Sequence, residues 1–161
     1  AYDVLRHVNA AEIPGRSIYT KIDGVQGECD DMPHRGWIET HNFGCAILNE
    51  QGRAGGRSIP AFQEVVIVKE LDKASPPLFE LAATGELVPG QVAIELTRVR
   101  FGEEEVFLEV KLTGVRIDSI QALADDKERV ALSFDTIEWT YTLDGSGTTG
   151  FGWDLERNAQ K

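Results

Sequence analysis

Apolar and polar residues alternate along most of this chain, which is the period of a strand with one buried face. Between Gln91 and Val99, the side chains of Val92, Ile94 and Leu96 face one way and those of Ala93, Glu95 and Thr97 the other. From Glu104 to Ile117 the set is Val106, Leu108, Val110 and Leu112, and its phase shifts at Gly114 to Val115 and Ile117. Arg129 to Thr142 shifts in the same way, from Val130, Leu132 and Phe134 to Ile137, Trp139 and Tyr141. A shift of one residue predicts a bulge, and paired bulged strands let a sheet turn the corner of a barrel. Ile18 to Asp23 alternates too, Trp37 to Leu48 reads as a strand bent near Gly44, and Val65 to Val68 is a β-branched run apolar on both faces. With seven or eight strands expected and no βαβ alternation, the pattern predicts a mainly β protein: an antiparallel β-barrel of two curled sheets with one short α-helix.

The helix follows the Val65–Val68 strand. Ser75 is the expected N-cap, Pro76 the first helical residue, Leu78, Leu81 and Ala82 one apolar face, and Gly85 the stop.

The connections are polar. Phe101-Gly102-Glu103-Glu104 predicts a hairpin turn, while Glu28 to Gly36 and Asp118 to Glu128 predict loops. Asn49 to Ser58 carries Gly52, Arg53, Gly55, Gly56 and Arg57. Their spacing is not that of a phosphate-binding loop, and a strand follows where such a loop needs a helix N-terminus. Three units are expected: an N-terminal extension at 1–16, holding Val4, Leu5 and Val8 before Pro14-Gly15, a barrel domain at 17–142, and a C-terminal tail at 143–161. The tail opens on a flexible GSGTTG run, with Trp153 and Leu155 available to pack on the body or on a neighbour.

The formal net charge of −11 argues against binding nucleic acid or an anionic membrane, both of which need surplus Lys and Arg. Two cysteines, Cys29 and Cys45, are too few for a disulfide framework and fit a reducing compartment. No apolar run reaches the length of a bilayer span, and residues 1–16 lack a signal-peptide core. His34 and His41 stand near Cys29, Asp30, Asp31 and Cys45 in sequence, but at no zinc-site spacing, and His7 has no evident partner. There is no G-x-S-x-G elbow, Ser75 is explained as a cap, and the consecutive Glu103, Glu104 and Glu105 point to alternate faces of a strand. No catalytic residue, cofactor or metal is therefore expected, and the protein is expected not to be an enzyme.

The run Val68-Lys69-Glu70-Leu71-Asp72-Lys73-Ala74-Ser75-Pro76, continuing to Leu78, Ala82 and Gly85, resembles the haemolysin-coregulated protein (Hcp) family of type VI secretion systems. Tyr19 to Glu28 resembles that family's first strand and turn, Trp37-Ile38-Glu39 its second strand, and Val130–Phe134 with Glu138–Tyr141 its last, all in the family's order. The resemblance implies a structural subunit of the secretion inner tube. It implies a homo-hexamer whose rings stack on themselves inside sheath proteins, behind a spike protein, with small effectors carried in the lumen. It implies a protein made in the cytoplasm and then secreted without a cleaved signal peptide. The family's extended loop, which reaches toward the next ring, falls on Asn49–Ser58 and makes Gly52, Arg53, Gly55, Gly56 and Arg57 the expected ring contact. A toxin-bearing variant is not expected, since no second domain follows Thr142. Two alternatives remain at this point: a monomeric barrel binding a small molecule in its interior, and a tube subunit of a contractile phage-type tail.

Overall fold

A computed structural model describes residues 14–50, 59–144 and 147–161. The strands are β1 (Arg16–Ile22), β2 (Ile38–Gly44), β3 (Ile47–Glu50), β4 (Ile59–Phe62), β5 (Val65–Glu70), β6 (Gln91–Arg100), β7 (Glu103–Thr113), β8 (Arg116–Ala122), β9 (Lys127–Ser133), β10 (Thr136–Leu143), β11 (Gly147–Asp154) and β12 (Ala159–Gln160). Helix α1 (Ser75–Thr84) sits between β5 and β6.

Ten strands form one antiparallel sheet in the order β12-β11-β10-β7-β6-β1-β2-β5-β9-β8, and β3 and β4 form a separate hairpin. The large sheet curls back on itself. Phe43 on β2 and Trp139 on β10 lie with ring centroids 6.0 Å apart. Four strand spacings separate β2 from β10, which a flat sheet would set about 19 Å apart. Inside the curl, Val92, Ile94, Val110, Leu112, Val130, Leu132 and Ile137 form one buried cluster with Ile22, Ile38 and Ile67. The terminal strands β8 and β12 do not pair with each other, so the curl stays open along that line.

The two predicted bulged strands are in fact four strands. β7 pairs with β6 and β10, whereas β8 pairs with β9; β9 pairs with β5 and β8, whereas β10 pairs with β7 and β11. The chain changes position in the sheet at Gly114 and again at Asp135. These two corners meet: the Asp135 N–H donates to the Thr113 carbonyl at 2.9 Å, and a Cβ on Gly114 (φ +63°) would run into the Asp135 carboxylate. A bulge and a corner both shift the apolar phase by one residue, so alternation alone does not separate them.

Three further expectations are corrected. The bend near Gly44 ends β2, and β3 leaves the main sheet. The polar stretch after Asp118 is strand as far as Ala122, since β8 lies at the sheet edge and needs few apolar residues. The Gly-rich tail is sheet: β11 pairs with β10 over its full length, and Trp153 and Leu155 pack against the core.

Candidate functional site

The motif from β5 to α1 folds around a buried ion pair. Lys69 and Glu128 oppose each other on β5 and β9, and both are wholly buried. The Lys69 ammonium donates to Glu128 Oε1, to Ser75 Oγ at 3.2 Å and to the Glu70 carbonyl at 2.9 Å, and is ion-paired with Asp72 Oδ1 at 2.8 Å. The Ser75 hydroxyl donates to Glu128 Oε1 at 2.8 Å and accepts from the Asp72 N–H at 3.0 Å. Glu128 Oε2 has no partner among the described residues.

This corrects the expected cap. Ala74 is the N-cap and makes no side-chain cap bond; Ser75 is already helical and its hydroxyl turns inward to Glu128. The turn is closed instead by Asp72, whose Oδ1 accepts from the Ala74 N–H at 2.9 Å. Pro76 stands in the first helical turn, and Gly85 (φ 70°) ends the helix in the left-handed conformation, donating to the Leu81 carbonyl at 3.0 Å. A serine beside a lysine is also a nucleophile–base geometry. Here Ser75 is buried and the lysine is held by two carboxylates, so the group works as a clamp joining β5, β9 and α1.

A second buried polar group ties down the β1–β2 connection, which the sequence predicts to be solvated. His34 is only 2% exposed. Its ring stacks on Tyr19 at 4.0 Å, meets Trp37 edge-on at 4.9 Å, and places Nε2 2.5 Å from Glu95 Oε2 on β6. Glu104 lies 3.9 Å from Nδ1. Burial is the main cause that pushes the Tyr19 hydroxyl above its ordinary pKa, with the Glu104 charge adding to it.

Among the described residues, Cys29, Asp31 and Cys45 do not converge on His34 or His41. His41 bonds Glu70 at 3.1 Å. Cys29, Asp31 and Glu39 bring one donor atom each within 4.8 Å of one another, with both carboxyl groups exposed. Burial, followed by the charges of Glu39, Asp31 and Asp30, raises the Cys29 thiol. Burial pushes Cys45 up to about 11. Glu105 is paired with Arg98 at 2.7 Å, an ion pair invisible in the run of three glutamates.

Gly52, Arg53, Gly55, Gly56, Arg57 and His7 lie outside the described residues. The flanking strands are placed: β3 and β4 pair from Ile47↔Phe62 to Glu50↔Ile59, so 51–58 joins the two strands of a hairpin set apart from the main sheet. An apolar surface that the sequence reading missed lies at the β6–β7 turn. Phe101 is 94% exposed, and Val99 and Leu143 are more than half exposed, beside the Arg100–Asp144 ion pair. The signal for it was an aromatic residue standing inside a hairpin turn. Among the described residues no helix is long and apolar enough to cross a membrane.

A curled, open antiparallel sheet around one filled core, with a single short helix clamped to it, defines a β-barrel-like protein. The chain belongs to the Hcp family: the family model described as type VI secretion system effector, Hcp, matches residues 19–141. The structure is similar to Hcp1 from Salmonella typhimurium, with a TM-score of 0.79 and 26% identity, covering 91% of this chain and 99% of that one. It is also similar to Hcp2 from Salmonella typhimurium, with a TM-score of 0.69, 25% identity and coverage of 90% and 98%. A type VI secretion system effector from Yersinia pestis shares the fold at a TM-score of 0.71 and 22% identity, covering 85% of this chain and 98% of that one. No curated protein matches the chain.

Proposed function

We propose that this protein is a structural subunit of the type VI secretion inner tube, acting by assembly and not by turnover. The observation that carries the reading is the family match over residues 19–141. In this reading subunits form hexameric rings that stack and are exported, with sheath proteins around them, a spike protein ahead and small effectors in the lumen. The chain is made in the cytoplasm and leaves without a cleaved signal peptide. Two features support contacts between copies: the exposed Val99, Phe101 and Leu143 surface, and the β3–β4 hairpin, whose exposed Ile47 and Leu48 lie outside the main sheet. The connection at 51–58, with Gly52, Arg53, Gly55, Gly56 and Arg57, is the contact toward the next ring in this reading. A ring needs such contacts to be heterologous and closing. The high net charge opposes association at low salt, so added salt should favour it.

The test is native mass with negative-stain imaging of the same sample. Open-centred particles of about six subunit masses are expected, and shortening the 51–58 connection to a tight turn should leave rings that fail to stack. A monomer at every concentration and salt level would overturn the reading.

A further inference from the structure

A cavity of about 490 Å³ opens beside the start of β1, between β6 and β2. That volume is within the usual range of small-ligand sites, about 300–1,000 Å³. Its walls include Ile18, Tyr19, Leu96 and Phe107, with Arg16 and Asn42 supplying polar groups.

Phe107 carries two guanidinium groups. Arg16 lies 4.8 Å and Arg98 5.4 Å from its ring centroid. Arg98 is committed: its Nε bonds Glu105 at 2.7 Å and its NH2 reaches Asp144 at 3.4 Å. Arg16 has the same aromatic platform, lines the cavity, and has no carboxylate partner among the described residues. A guanidinium laid against an aromatic ring keeps its planar donor fork available for a carboxylate. Asn42 adds a donor, since its Oδ1 accepts from the Phe43 N–H at 3.0 Å and its amide NH2 has no partner among the described residues. The lining also includes Glu39, which together with the net charge of −11 disfavours a second negative group on the ligand.

We propose that this cavity binds a monocarboxylate joined to an apolar body, with Arg16 taking the carboxylate and Phe107, Leu96 and Ile18 the apolar part. The groups invoked all lie within one subunit and do not use the tube reading, so the titration tests the site separately. The same chemistry is offered by a free organic acid and by the C-terminal end of a polypeptide.

The experiment is calorimetric titration of the full-length protein with 3-phenylpropionate, with acetyl-Leu-Phe bearing a free carboxylate, and with its C-terminal amide. At least one acid should bind, and removing the charge (acid to amide) should weaken binding by about tenfold or more, as expected for a charge-assisted pair. Arg16→Gln should bring the acid down to the level of the amide while leaving the melting temperature unchanged, and Phe107→Leu should weaken both. Binding of the acetylated peptide acid identifies a chain end; binding of 3-phenylpropionate alone identifies a free acid. No binding of either acid, equal binding of acid and amide, or full acid binding by Arg16→Gln would overturn the proposal.

Discussion

Lys69 and Glu128, 59 residues apart in sequence, meet as a fully buried ion pair, and Ser75 of α1 bonds to both. The pair fixes the register of β5 against β9 and holds the helix to the sheet.

Removing one partner should therefore be far worse than removing both. Lys69→Met leaves the Glu128 carboxylate buried without its cation, and a loss of about 3–5 kcal/mol is expected. Lys69→Met with Glu128→Leu removes the desolvation cost on both sides and should recover most of that loss, all the more because Glu128 Oε2 is already unsatisfied. Urea unfolding of both variants decides the matter: equal losses would mean that the pair is not the unit of stabilisation.

His34 should act as the latch of the β1–β2 connection. His34→Ala removes the Tyr19 stack and the Glu95 bond together, at about 1–3 kcal/mol. Hydrogen exchange should quicken at Cys29, Gly36 and Trp37, whose amides donate within this connection, while β6 and β7 stay protected. Unchanged exchange at those three amides would show that Trp37 and the backbone bonds hold the loop alone.

Glycines with similar backbone angles should respond differently. Gly102 (φ +79°) has open space around its missing Cβ, so Gly102→Ala should cost about 1 kcal/mol of backbone strain. Gly114→Ala adds a collision with Asp135 at the corner, and a loss of about 2–4 kcal/mol is expected. Thermal melts of the pair check the ranking.

Glu64 gives a pH dependence. Burial first, then its hydrogen bond to Asp118 and that residue's charge, raise the Glu64 carboxyl above 4.5, with Arg129 opposing. The folded state thus holds this proton more tightly than the unfolded state. Its contribution is fully present below the unfolded pKa and is lost as pH rises through the folded value. Glu64→Gln should flatten stability against pH in that acid window and raise stability at neutral pH by a few tenths of a kcal/mol, small because the group is largely exposed. Denaturant midpoints measured from pH 4 to 7 would show either a flattened curve or, against expectation, an unchanged slope.

What the sequence determined by itself was local. Period-two alternation marked Val92, Ile94, Val110 and Leu112 of β6 and β7 as inward, because successive side chains on a strand face opposite ways; it missed the register shift that buries Phe107 and pairs Val106 with Thr97. Gly85 marked the end of α1, since a left-handed residue is needed there. The order of motifs around Val68–Gly85 indicated the family. Tertiary structure decided what depends on distant partners. Ser75 reads as a cap until Glu128, 53 residues on, offers its hydroxyl a buried acceptor. His34 reads as solvated until Tyr19 and Glu95 enclose it. The phase shifts at Gly114 and Asp135 read as bulges until the pairing shows that the chain moves to another part of the sheet. The Gly-rich tail becomes strand because β10 offers an open edge along its whole length. Alternation records which face of a strand is buried; only long-range pairing determines which strand lies beside it.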